Sequence, residues 1–183
     1  MKFRIVEEPI PYTGTELRSG WIAQVTGLEG DAAVGFIGPC SVATEDMVDL
    51  DDARAGHRIE AAQMAHVVIE HRACDLRAAV LRQRLLVCIL CELLCARGFH
   101  VRRDGDDVYH GDRKLTVSVA APGPACALIH LGINIDPAGA PVPAVGLDEL
   151  AVPPRELLDE LLDRYVREIR TAGHAETKVR TVD

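Results

Sequence analysis

Residues Val101–Ile135 read VRRDGDDVYHGDRKLTVSVAAPGPACALIHLGINI, and the fold turns on this stretch. Two of its segments alternate with period 2, the mark of half-buried strands. In the first, Leu115, Val117 and Val119 point one way and Lys114, Thr116 and Ser118 the other. In the second, Ala127, Ile129, Leu131, Ile133 and Ile135 form an apolar row, backed by Cys126, Leu128, His130, Gly132 and Asn134. The breaker-rich Ala121-Pro122-Gly123-Pro124-Ala125 lies between them. A hairpin centred on Gly123 sets Lys114 opposite Gly132 and Thr116 opposite His130, and such cross-strand neighbours sit about 5 Å apart. One face is then greasy. The other carries a lysine, two hydroxyls, a histidine and an asparagine beside a glycine that leaves space. A row of this kind either lines a pocket or forms the wet face of an antiparallel sheet.

Around it, period-2 strands interleave with two long amphipathic helices, which predicts an α/β domain of the α+β type: a mixed, mainly antiparallel sheet flanked by helices. The 183 residues suffice for one core, so a single domain over 1–183 is expected. Apolar residues make up 48%, which excludes a disordered chain. The net charge of -8 argues against general nucleic-acid binding, which needs a basic field. It leaves room for a small anion held by a few local cations. Met1–Pro9 lacks the pattern of a secretory signal, and the apolar run Leu85–Cys91 is too short to span a bilayer. Six cysteines in such a chain read as reduced thiols in the cytoplasm.

Taken in order, Lys2 to Val6 reads as a strand. Thr15 to Gln24 reads as a helix capped by Thr15 and weakened by Gly20. Ala32 to Ile37 reads as a second strand stopped by Gly38-Pro39, with Cys40 and Ser41 in the following loop. Cys40 fits a buried structural thiol better than a nucleophile, because no base lies near it in sequence. Glu45, Asp46, Asp49, Asp51 and Asp52 make an acidic loop without the spacing of a calcium site. His66-Val67-Val68-Ile69-Glu70-His71 is one residue too long for the H-x-x-E-H zinc motif, and its β-branched centre favours a strand.

The main helix is expected from Leu76 to Arg97, with Asp75 as N-cap and Gly98 as stop. Cys88, Cys91 and Cys95 fall on one stripe of it. Three thiolates on one stripe do not wrap a tetrahedral metal unaided, so no metal site is assigned. Arg77 and Arg84 share a face, either in water or against an anion. Asp136 to Pro154 reads as an ordered loop. A last helix, Arg155 to Arg170, carries the stripe Leu157, Leu158, Leu161, Leu162, Tyr165 and Ile169, followed by a polar tail from Thr171.

Gly105-Asp106-Asp107-Val108-Tyr109, the turn His110-Gly111-Asp112, the strand start Arg113-Lys114-Leu115 and the later Gly132-Ile133-Asn134-Ile135 resemble the core of the biotin and lipoate protein ligases. Those enzymes carry Pro-Asn-Asp-Ile/Leu-Tyr, a hairpin turn, a basic strand start and a Gly-Ile/Leu-Asn strand in this order. Two departures stand out. Gly105-Asp106 replace Pro-Asn, and no glycine- and arginine-rich loop precedes them. Over most of its length the chain more closely resembles a largely archaeal family of unknown function, placed with the same ligases and the class II aminoacyl-tRNA synthetases.

The resemblance implies a ligase or transferase that acts on a small carboxylic acid through an acyl-adenylate, using ATP and magnesium. It makes Lys114 the lysine that meets acid and adenylate. The polar row then supplies the substrate-binding residues Thr116, Ser118, His130, Gly132 and Asn134, with Asp107 brought near through the preceding hairpin. A competing reading is a non-catalytic binding protein that kept the fold and lost the phosphate loop. A weaker third is a homodimer built on the apolar strands. The expected partners are a small carboxylic acid or a nucleotide, and neither nucleic acid nor membrane.

Overall fold

The computed structural model describes residues 1–182. Its strands are β1 (Lys2–Ile5), β2 (Ala32–Val42), β3 (Ile59–Arg72), β4 (Val101–Asp104), β5 (Asp107–His110), β6 (Arg113–Lys114), β7 (Thr116–Pro122) and β8 (Cys126–Asp136). Its helices are α1 (Trp21–Thr26), α2 (Leu50–Arg54), α3 (Leu76–Ala96) and α4 (Pro154–Thr177). The main sheet has the order β1-β2-β3-β8-β7. Only the β1–β2 pair is parallel, so the sheet is mixed and mainly antiparallel, as the patterning predicts. A second small sheet, β4-β5-β6, carries Lys114 at its end.

The main sheet is covered on both sides. One face packs Ala33, Ala65, Val67, Ile69, Ile129, Leu131 and Ile133 against Leu86, Leu90, Leu93 and Leu94 of α3 and the leucine stripe of α4. Gly35 sits under α4, where a Cβ would press on Leu162. The other face packs Val34, Phe36, Val68 and Leu128 under Tyr12, Leu17, Trp21 and Ile22. β8 is thus buried on both faces, where its period-2 alternation predicts a half-buried strand, because the residues before β3 cover its second row.

The helix ends follow their chemistry. The Asp75 carboxylate accepts from the Ala78 N–H at 2.7 Å, satisfying one orphan donor of α3. Gly98, at φ 87°, provides the left-handed residue after its last turn. Pro154 opens α4, where its missing N–H costs nothing.

Several expected boundaries are corrected. Residues 15–20 form turns, and α1 begins only at Trp21. Its start is capped from afar, by Glu70 accepting from the Gly20 N–H at 2.8 Å. The strand read as Ala32–Ile37 runs on to Val42, because Gly38-Pro39 makes a bulge rather than a stop. Cys40 therefore lies in a strand, and it is buried. The acidic loop contains α2 and a short 3-10 turn, Thr44–Asp46. The polar tail from Thr171 continues α4 to Thr177.

The hairpin register is also corrected. Thr116 pairs with Ile133, Val117 with Gly132 and Val119 with His130. The reversal is centred between Pro124 and Ala125, and the Gly123 N–H closes it on the Cys126 carbonyl at 2.8 Å. An odd shift of register exchanges the faces of one strand against the other. Thr116 and Ser118 thus join the helix side, while Val117 and Val119 share the side of His130.

Candidate functional site

On the face away from α3 and α4, a cleft of about 320 Å³ opens beside β8. Its floor comes from Met64 of β3, Val117 and Val119 of β7, and His130 and Asn134 of β8. Tyr12 closes the deep end, and Asp106, Asp107 and Lys114 stand at the side. One lip is the segment between β2 and β3, with Asp46, Asp49 and Asp52; Pro141 and Val142 form the other.

The Lys114 ammonium lies 2.8 Å from Asp107 Oδ2, both about a quarter exposed. They face each other because Tyr109 pairs with Lys114 across the β5–β6 turn. Burial raises the Asp107 carboxyl above its ordinary range, while the hydrogen bond and charge of Lys114 pull the other way. The lysine's main chain is held on two sides. Its N–H donates to the Pro143 carbonyl at 2.9 Å, and its own carbonyl accepts from the Val145 N–H at 3.0 Å. Asn134 Nδ2 donates to that same carbonyl at 3.2 Å.

Two imidazoles meet at the deep end. His66 Nδ1 and His130 Nε2 are 3.2 Å apart, and His66 Nε2 is 3.3 Å from the Gly38 carbonyl. Tyr12 lies flat on His130, centroid to centroid 3.8 Å with the planes 8° apart. Phe36 stacks on His66. Burial lowers the His66 pKa to about 4 and takes His130 well below its ordinary value, so both rings are neutral at pH 7.

Asp106 is committed to structure. It accepts from Gln83 Nε2 at 2.7 Å and pairs with Arg84 at 3.2 Å. Arg84 is therefore the arginine of the α3 pair that meets an anion, and the anion is the protein's own carboxylate.

Of the residues expected from the sequence, Lys114, Asp107, Ser118, His130 and Asn134 do line this one cleft. Ser118 reaches only its edge, bonded to Gln83 and Asp106. Two fall away. Thr116 is fully buried, its hydroxyl accepting from the Val108 N–H at 2.9 Å. Gly132 does not open space for a ligand, because the Met64 methyl and Val117 fill the place of its missing side chain. Tyr12 and Met64 were invisible in sequence, since neither stands in a pattern that sets it apart. The sequence sets His66 beside Glu70 and His71 on its own strand, whereas its partner is His130 on the neighbouring one.

No group of three or more His, Cys, Asp or Glu side chains able to hold a metal occurs among the described residues. Nor is any helix among them long and apolar enough to cross a membrane.

Comparison with known proteins decides the family. The model for "Domain of unknown function (DUF366)" matches residues 1–180. The chain belongs to the DUF366 family. An uncharacterized protein of Methanocaldococcus jannaschii is 35% identical over 92% of this chain and 80% of its own length. A protein of unknown function from Pyrococcus horikoshi superposes with TM-score 0.96 at 36% identity, covering all of both chains. Biotin protein ligase from Aquifex aeolicus, in complex with biotin and ATP, gives TM-score 0.61 at 13% identity over 92% of this chain and 70% of that one. The DUF366 chain thus has the fold of the biotin protein ligases, and that of the lipoate ligases, as its sequence resemblance implies.

Proposed function

We propose that this chain binds a small carboxylic acid in the cleft beside β8 and activates it as a ligase or transferase. The observation that carries this is the Lys114–Asp107 pair on the cleft wall, at 2.8 Å. An ammonium has three donors, and Asp107 occupies one. The others serve a ligand carboxylate or an α-phosphate, where charge develops during acyl transfer. ATP, when bound, supplies the adenylate, with pyrophosphate leaving. Asp46, Asp49 and Asp52 on the lip offer the one or two carboxylates that magnesium takes beside phosphate oxygens. The test is acid-dependent exchange of pyrophosphate into ATP across a panel of small carboxylic acids. Exchange with at least one acid, lost in Lys114→Ala, supports activation. A wholly inactive panel counts against it.

A second reading, a binding protein without catalysis, is favoured by the same lip. Five acids and only one glycine, Gly56, stand between β2 and β3, where a phosphate-cradling loop needs flexible backbone and donors. Native mass spectrometry of fresh protein distinguishes the two: a retained small molecule, together with an inactive exchange panel, selects the binder.

A further inference from the structure

The deep end of the cleft is wired by hydrogen-bond logic. A carbonyl only accepts, so the Gly38 carbonyl requires the proton of His66 on Nε2. A neutral His66 then has a bare Nδ1, which accepts from His130 Nε2. His130 in turn has its proton on Nε2 and its lone pair on Nδ1. That nitrogen has no hydrogen-bond partner among the described residues, and since none of their buried side-chain nitrogens or oxygens is left unpaired, it is open to the cleft that His130 lines. Tyr12 clamps the ring face, so the lone pair's direction is fixed.

We propose that His130 Nδ1 is a specificity acceptor: the ligand carries a neutral N–H or O–H donor on the end remote from its carboxylate, and this donor bonds to His130. The proposal rests on the acid-binding reading above and adds the other end of the molecule. His130 and Asn134 are four residues apart on β8, about 13 Å along a strand. Between them the floor is Met64 and Val117, gathered over Gly132. The cleft therefore offers a cation at one end, an apolar middle and, at the other, the uncharged His130 acceptor with Tyr12 stacked on it. A neutral donor matches it. A purely hydrocarbon tail would leave the acceptor dry and unpaired, which costs binding free energy. Burial of both rings keeps the acceptor unprotonated at neutral pH.

Two measurements on the full chain test this. Nitrogen NMR of the histidine rings at neutral pH is expected to show His130 protonated on Nε2 and bare on Nδ1. A proton on Nδ1 would overturn the proposal. The second is titration with heptanoate and its ω-hydroxy and ω-carbamoyl analogues. The analogues are expected to bind at least about tenfold tighter, or 1.4 kcal/mol, and to shift the His130 Nδ1 resonance where heptanoate does not. His130→Phe should remove the preference and His130→Gln, which keeps an acceptor, should retain part of it. If the variants do not fold, the wild-type preference and the Nδ1 shift decide alone. Equal binding of all three acids, weakened together by Lys114→Ala, overturns the donor assignment and leaves the proposed function standing. No binding of any probe at millimolar concentration counts against both.

Discussion

Tyr165 of α4 donates its phenolic hydrogen to His71 Nε2 of β3 across 2.8 Å. The direction is set by Asp31, whose carboxylate lies 3.5 Å from His71 Nδ1 and claims the ring's one proton. Both rings are fully buried. Tyr165→Phe leaves a buried acceptor without a donor and is expected to cost about 1–3 kcal/mol, read as a lower denaturant midpoint with an unchanged slope.

Three buried rings set the response to acid. Burial lowers the His66 and His71 pKa values to about 4 each, and lowers that of His130 as well. The unfolded chain protonates them near 6.5 while the folded chain does not. Unfolding therefore takes up protons, and stability falls as pH drops from 6.5 toward 4. The three rings together give a limiting slope of about 4 kcal/mol per pH unit. Urea melts from pH 8 to 4.5 check this; a flat profile would show that the rings are hydrated in solution.

Lys114→Ala should weaken the binding of any carboxylate ligand by at least about tenfold. The structure adds a pH signature. Without the ammonium, the half-buried Asp107 loses its counter-charge and its carboxyl rises further. A raised carboxyl is a cost paid only once it ionises, so the loss of stability should appear as pH climbs above the ordinary aspartate range and vanish below it. Melts of wild type and variant at pH 3.5 and 7, side by side, give the comparison. Adding Asp107→Asn to Lys114→Ala should recover most of the difference.

Gly38→Ala is expected to be severe. A Cβ there would lie 1.9 Å from the Ile10 carbonyl oxygen, a backbone atom with nowhere to go. The cost should reach about 3 kcal/mol or more, and the displaced Gly38 carbonyl should also release His66. Circular dichroism and the His66 ring resonances report the two effects separately.

The thiols should differ widely in reactivity. Cys95 is exposed, whereas Cys40 is buried and its thiol is pushed up to about 12, first by burial and then by Glu16. Timed alkylation followed by peptide mapping should label Cys95 first and Cys40 last. Fast labelling of Cys40 would place β2 at a frayed edge.

Much of the fold could be read from local pattern. Asp75 and Gly98 bracket α3 because caps are local chemistry, and the apolar row of β8 survives any register. Lys114 and Asp107 were brought together by a short turn, which sequence spacing resolves. The turn after β7 was not resolved so well. Two prolines flank Gly123, and nothing local says which peptide the reversal is centred on; an odd error there sent Thr116 to the wrong face. The His66–His130 contact joins residues 64 apart on adjacent strands, and no single-strand pattern carries it. The distant capping of α1 by Glu70 explains why its start was misplaced.

The main chain at Lys114 is held by Pro143, Val145 and the Asn134 amide, and none of these bonds uses the lysine's own side chain. Identity and position are thus uncoupled at this residue. The backbone would hold an arginine or a glutamine in the same place, so a change at one codon can alter the charge offered to the cleft with no cost beyond the ion pair to Asp107. A scaffold with that property is free to drift between ligands over evolutionary time, and related chains that differ at this one position should be expected to differ in what they hold.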